Sequence, residues 1–311
     1  MTEIHPDIAN GTDIAVSARA IRWQRRRTAT RDALRRLRRD RPALVAIVVL
    51  VVVAVLALLA PFISTHSDLE AVNTAANPVW ATPGSHFVLG TDNLGRSVAL
   101  QVLWGARVSL FVGLMATLLT VALGTLIGIV AGFFRGWLDA LLMRFTDWFM
   151  VIPFLPTAIV LATVLGRSLW IIVFVIGITS WPSTARLVRS QVLSIRERLY
   201  VDRARALGAS RTHIIGRHVL PNVAPLVLAS STLAVPISIL TETTLSFLGL
   251  GDPTQVSWGG MLEQARDVAA VTTNRWWYYL PPGVGIILVV LAFTILGRSL
   301  ESVLDPRLRE R

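Results

Sequence analysis

The sequence predicts an all-α polytopic membrane protein with six transmembrane helices, and three observations carry that prediction. Of its 311 residues 53% are hydrophobic and only 16% are charged. The apolar residues fall into long stretches without a single charge, at 42–67, 108–134, 148–166, 168–185, 219–241 and 276–297. Crossing a hydrocarbon core of about 30 Å takes roughly 20 helical residues, so each stretch suffices. In lipid the backbone must satisfy its own hydrogen bonds, which makes each stretch a helix. The short alternating segments of a β-barrel do not occur.

Taken in order, the chain opens with an arginine-crowded tail, 1–42, holding eleven arginines against five acids. The first span, 43–63, starts too late and runs too long for the core of a signal peptide, and reads as a retained signal anchor. An external segment follows at 64–106. Residues 107–305 then carry five further spans. Only Arg167 interrupts 148–185, a stretch about twice the bilayer thickness, so Gly166-Arg167-Ser168 is a predicted turn between two spans. A cytoplasmic loop occupies 196–221, a second external segment 246–282, and a short tail 306–311. Residues 186–218 hold eight arginines against Glu197 and Asp202, while both external segments are poorer in arginine. Positive charge marks the cytoplasmic side, which places both termini inside. The tryptophans of the external segments, Trp80, Trp104, Trp258, Trp276 and Trp277, suit an aromatic belt at the bilayer surface.

Composition also excludes chemistry. There is no cysteine, and all thirty basic residues counted as Lys+Arg are arginine. No P-loop lysine, Schiff-base lysine or thiolate site is therefore available. The five histidines show no metal-ligand spacing; His213 and His218 are five apart, off a common helix face. No catalytic constellation assembles. The net charge of +11 comes from arginines at membrane boundaries, where anionic headgroups rather than nucleic acid are the partner.

Within the spans, Gly124, Gly128 and Gly132 recur at four-residue intervals and predict close packing against a neighbouring helix. Pro225 and Pro236 predict kinks in the fifth span. Asp147 and Glu242 lie near bilayer depth, where acids are functional candidates by default. Asp147 is expected to pair with Arg144, or to serve a gate or pathway. Glu242 is expected to cap a helix or form part of a gate, with substrate contact as the alternative.

The cytoplasmic loop carries the most specific pattern. Helix formers run from Arg196 to Leu207, Gly208 is placed to end them with a left-handed cap, and Ser210 is placed to cap a second short helix toward Pro221. Small residues Ala204, Ala206, Gly208 and Ala209 leave room for a partner. This segment, Tyr200 to Pro221, resembles the EAA loop of permease subunits of binding-protein-dependent ABC importers. The triplet is Asp202-Arg203-Ala204, the glycine Gly208 beside Leu207 and Ala209, and the distal pair Leu220-Pro221; Asp202 and Arg203 depart from the Glu and Ala of the pattern. Further motifs are similar to the C-type subunit of dipeptide and oligopeptide permeases. They are Leu89-Gly90-Thr91-Asp92-Asn93-Leu94-Gly95-Arg96 with Ser97 in place of the usual aspartate, Leu248-Gly249-Leu250-Gly251 with Ser257-Trp258-Gly259, and Asp305-Pro306-Arg307-Leu308.

That resemblance implies the type I ABC importer permease fold in a bacterial inner membrane. It implies a homologous permease partner, two ABC ATPase subunits that grip the loop and bind ATP and magnesium, and an extracytoplasmic substrate-binding protein. The chain itself would bind no cofactor or metal and catalyse nothing. Peptide is the implied substrate; nickel complexes or another small solute are the narrower alternative. A stand-alone secondary transporter would require inverted repeats or buried coupling charges, which are not seen.

Overall fold

The computed structural model describes residues 40–84 and 86–304. The arginine-rich tail and the Asp305-Pro306-Arg307-Leu308 motif, with the tail after it, lie outside the described residues. The chain forms nine helices of eight residues or more among the described residues: α1 Arg41–Ile63, α2 Val98–Phe134, α3 Gly136–Val151, α4 Phe154–Leu165, α5 Leu169–Arg196, α6 Leu199–Ala206, α7 Leu220–Leu245, α8 Trp258–Asp267 and α9 Trp276–Leu304.

Helix α1 starts where the Asp40 carboxylate accepts a hydrogen bond from the Ala43 amide, with Pro42 in the first turn. Its inward face is Ala43, Ala46, Ala57 and Ala60, all buried; Val45, Val48, Val52 and Leu58 face outward. Small residues inside let α1 approach α2 and α9 closely, while branched residues outside suit lipid. Helix α2 begins ten residues before the charge-free stretch it contains, so the end of the expected external segment is already helical. At 37 residues it is about 55 Å long and packs on α1, α5 and α7.

Five helical stretches are long and apolar enough to cross a membrane, including Arg211–Leu250 around α7. The expected third span is different. Its residues, 148–166, take in the last turn of α3 and all of α4, a pair bent by 89° at Ile152-Pro153. Pro153 cannot continue the hydrogen-bond ladder, and the residue before a proline is driven to extended backbone; Ile152 sits at φ −72°, ψ 128°. The apolar stretch therefore holds a corner rather than a straight helix. At its far end Gly166, at φ +101°, makes the turn expected of it.

Among the described residues the core lies in three layers, with a small satellite of Ala60, Leu69 and Trp104 that shares Val256 with the first. At one end, the cap end, Trp258, Met261, Trp277 and Tyr278 pack on Val98, Ile239 and Val289. In the middle, Val112 and Ala116 of α2 meet Ile172 and Ile176 of α5. At the other, the hairpin end, Val188, Val192 and Ile195 meet Val201, Ile214 and Val223. The aromatic-belt expectation fails for most of the tryptophans. Trp258, Trp277 and Trp104 are only 2%, 5% and 9% exposed. Their indole N–H groups donate to Val102 O, Thr91 O and Ser64 Oγ at 3.0, 3.2 and 3.0 Å. An aromatic with a polar handle serves a wet interface or a buried anchor equally well; here it anchors a folded cap, and Trp276 alone of the five is exposed.

Candidate functional site

The hairpin between α5 and α7 is built from two helix caps set back to back. Helix α6 ends in a Schellman motif: Ala209 N–H donates to Ala204 O and Gly208 N–H to Arg205 O, both at 3.0 Å. Gly208 takes φ +81°, and nothing lies within 4 Å of where its Cβ would be. The glycine is thus required by backbone conformation and not by crowding within this chain. One residue on, Ser210 Oγ accepts from the His213 amide at 3.3 Å and starts the turn Arg211–Ile214. A wide turn, Ile215–Val219, then leads into α7.

Burial divides the hairpin into an anchor and a tip. Val201 is completely buried among Ile129, Phe133, Val192 and Ile214. Leu207 is 88% exposed, and Asp202, Arg203 and Arg205 also face outward. Arg203 fits where the pattern has a small residue because it points away from the bundle. Asp202 pairs with Arg205 at 3.1 Å with both side chains about half exposed. Ala204 and Ala209 close the seam against the core, while Tyr200 tilts over His218 at 5.8 Å between ring centroids. Leu220 and Pro221 open α7, and Leu220 is exposed. The helix expected from Arg196 to Leu207 is shorter than that: α5 runs through Arg196, the chain turns at Glu197-Arg198, and α6 starts afresh at Leu199.

The hairpin is tied to the bundle by arginines. Arg196 donates to Phe133 O, one of the orphan carbonyls at the end of α2, and Arg135 pairs with Glu197. Along α3 and α5, Arg189 grips Asp139 through two hydrogen bonds of 2.6 and 2.8 Å. Arg186 pairs with Asp147 at 2.5 Å. The partner of Asp147 is therefore Arg186 on α5, not Arg144 on its own helix; Asp147 and Arg144 are three apart, but the α3–α5 contact brings a better-placed guanidinium across.

Gly124, Gly128 and Gly132 all face α5. A Cβ at these positions would meet Thr184, Val188 and Val192 side-chain carbons at 2.6 to 2.9 Å. Glu242 is fully buried near the cap end. It accepts hydrogen bonds from Ser109 Oγ on α2 at 3.1 Å and Ser246 Oγ at 2.9 Å, and Ser109 Oγ in turn accepts from the Trp258 amide at 3.3 Å. Glu242 lies inside a helix that continues to Leu245, and not at its end. The carboxyl group knots α2, α7 and α8 together.

A cavity of about 390 Å³ lies between α2, the α3–α4 corner, α5 and α7. Neither Glu242 nor Asp147 lines it. Its polar wall is hydroxyls, among them Thr120, Thr179, Ser183 and Ser238, which the sequence reading missed because they come from three helices with no shared spacing. Among the described residues no group of three or more His, Asp or Glu converges as a metal site would.

Residues 124–310 match the binding-protein-dependent transport system inner membrane component family. Residues 28–78 match the N-terminal transmembrane domain of oligopeptide transport permease C. The chain is 37% identical over 281 residues to the dipeptide transport system permease protein DppC of Bacillus subtilis, covering 90% of this chain and 86% of that one. It is 42% identical over 228 residues to a putative peptide transport system permease protein of Brucella suis, covering 73% and 76%. A second Brucella suis relative, a putative peptide permease protein, is 39% identical over 248 residues, covering 79% and 80%.

Proposed function

This chain belongs to the family of binding-protein-dependent transport system inner membrane components, and on that premise we propose that it is a permease subunit of an ATP-driven peptide importer. It is a multi-pass protein of the bacterial inner membrane. With a homologous permease it forms half of the translocation pathway, both termini facing the cytoplasm. Two ATPase subunits bind ATP and magnesium and grip the hairpin, an extracytoplasmic binding protein delivers peptide, and this chain performs no catalysis.

The hairpin carries the reading. An exposed apolar tip, Leu207, stands on a buried anchor, Val201, and the anchor joins α5 to α7. Both helices line the cavity near their middles, α5 at residues 179–184 and α7 at residues 234–238. A partner that moves the tip therefore moves two walls of the cavity. Leu207 touches too little of this chain to matter for its own folding, so Leu207→Asp isolates docking. In liposomes holding the whole transporter, peptide uptake should fall at least about tenfold, with insertion and thermal unfolding of the chain unchanged. Normal uptake by that variant would overturn the assignment.

A further inference from the structure

Three helical ladders are interrupted around the cavity. The α3–α4 corner is one, and Pro153 caps α4 with no side-chain hydrogen bond, leaving first-turn amides of α4 and last-turn carbonyls of α3 without helical partners. Pro182 of α5 lies on the wall, and Pro236 of α7 lies between the lining residues Ala234 and Ile237; each proline removes one helix hydrogen bond. At bilayer depth, irregular backbone is tolerated where it faces protein or a polar cavity.

Of three buried hydroxyls without a hydrogen-bond partner among the described residues, Thr120, Thr125 and Thr243, Thr120 lines this cavity. Thr120 of α2 is 3% exposed and its hydroxyl has no hydrogen-bond partner, although a helical threonine ordinarily bonds back to the preceding turn. Thr179, on the facing wall, does so, donating to Val175 O at 2.6 Å. Ser183 donates to Ser180 O at 3.3 Å. Those two hydroxyls have spent their protons and present lone pairs to the cavity; Thr120 can donate and accept. Among the described residues no acid, arginine or histidine lines the wall. On this chain's side of the cavity a charged terminus finds no counter-charge, and the hydroxyls stand beside apolar Phe149, Met150 and Ile237. A neutral group with both a donor and an acceptor matches.

We propose that this cavity is a contact site for the backbone amide groups of the peptide in transit; the assignment rests on the peptide-import reading. Contact through hydroxyls and frayed backbone, without charge, accepts any side-chain sequence.

The chain contains no cysteine, so Ser183→Cys places a single thiol on the wall and Thr272→Cys an exposed control outside it. The complete transporter in liposomes, with binding protein and ATP, is treated with a methanethiosulfonate reagent with and without trialanine, and modification of this chain is read by mass. Trialanine should slow modification of Ser183→Cys at least threefold and leave Thr272→Cys unchanged. Thr120→Val should lower trialanine uptake about three- to tenfold, the loss of one hydrogen bond, and Thr120→Ser should restore most of it. Unprotected Ser183→Cys in liposomes that import trialanine would overturn the site alone. Liposomes of the unsubstituted complex that hydrolyse ATP yet accumulate no trialanine would overturn the peptide-import reading, and the site with it.

Discussion

At the cap end two carboxyl groups, Asp92 and Glu242, are fully buried among hydrogen-bond donors, whereas at the hairpin end Asp202 and Glu197 meet their arginines in the open. Asp92 accepts from the Leu94 and Arg96 amides, from Arg96 Nε at 2.6 Å and from Gln101 Nε2 at 2.9 Å. Arg96 and Tyr278 both donate onward to Gln264 Oε1 at 2.8 and 2.9 Å. Arg275 lies between the Trp80 and Trp277 rings, 5.4 Å from each centroid. The cap thus closes upon itself, with its buried carboxylates Asp92 and Glu242 satisfied internally. The hairpin does not; its order comes from two caps and one apolar anchor, and its outer face, Asp202, Arg203, Arg205 and Leu207, is exposed. One end is thus held by buried polar contacts, the other by two caps and an apolar anchor beneath an exposed face.

If that contrast is right, the largest loss of stability should come from the cap. Asp92→Ala leaves Arg96, whose side chain is only 12% exposed, unpaired, and breaking such a buried pair costs about 3–5 kcal/mol. The loss should appear as a large drop in the thermal midpoint of the purified chain in detergent, and a midpoint within a few degrees of the parent would break the comparison. A middle-sized effect separates the two ways of altering Glu242. Glu242→Gln keeps the shape and an acceptor, so it should cost about 1 kcal/mol or less. Glu242→Ala strands the Ser109 and Ser246 hydroxyls and should cost about 2–3 kcal/mol. Equal midpoints for the two would argue against the knot, and normal assembly with weakened peptide affinity in Glu242→Gln would shift this residue from structure to substrate contact. The smallest effect belongs to the hairpin. Asp202→Ala removes an exposed pair worth at most about 0.5 kcal/mol, so its midpoint should not move; any defect must then show in coupling, as ATP hydrolysed per peptide imported.

The sequence announced the helices better than their angles. Charge-free stretches place spans because lipid forbids an unsatisfied backbone, and the four-residue glycine spacing names a packing face without knowledge of the partner. The hairpin caps were legible for the same reason: Gly208 and Ser210 act on backbone within a few residues of themselves. What was hidden depends on distance along the chain. The corner at Pro153 sits inside an unbroken apolar stretch, where hydropathy is blind to direction. Arg186 lies 39 residues from Asp147, so no local rule pairs them. Trp258 and Trp277 have the composition of interfacial residues, and only the folded cap shows them inside. The hydroxyls of the cavity belong to helices that meet only in three dimensions.

The meeting of α2 with α5 has one more implication. Thr184, Val188 and Val192 seat as successive teeth in the notches left by Gly124, Gly128 and Gly132. A toothed rack does not slip by fractions of a step; shifting it to the next notch means a jump of about 6 Å. Between Thr184 and Val192 the two helices therefore behave as one beam, reaching from just past Pro182 almost to the end of α5 at Arg196. The breaks in the helical ladder lie outside that toothed stretch, at Pro182 and at the 89° corner of Ile152 and Pro153, so bending is concentrated there and not along the rack.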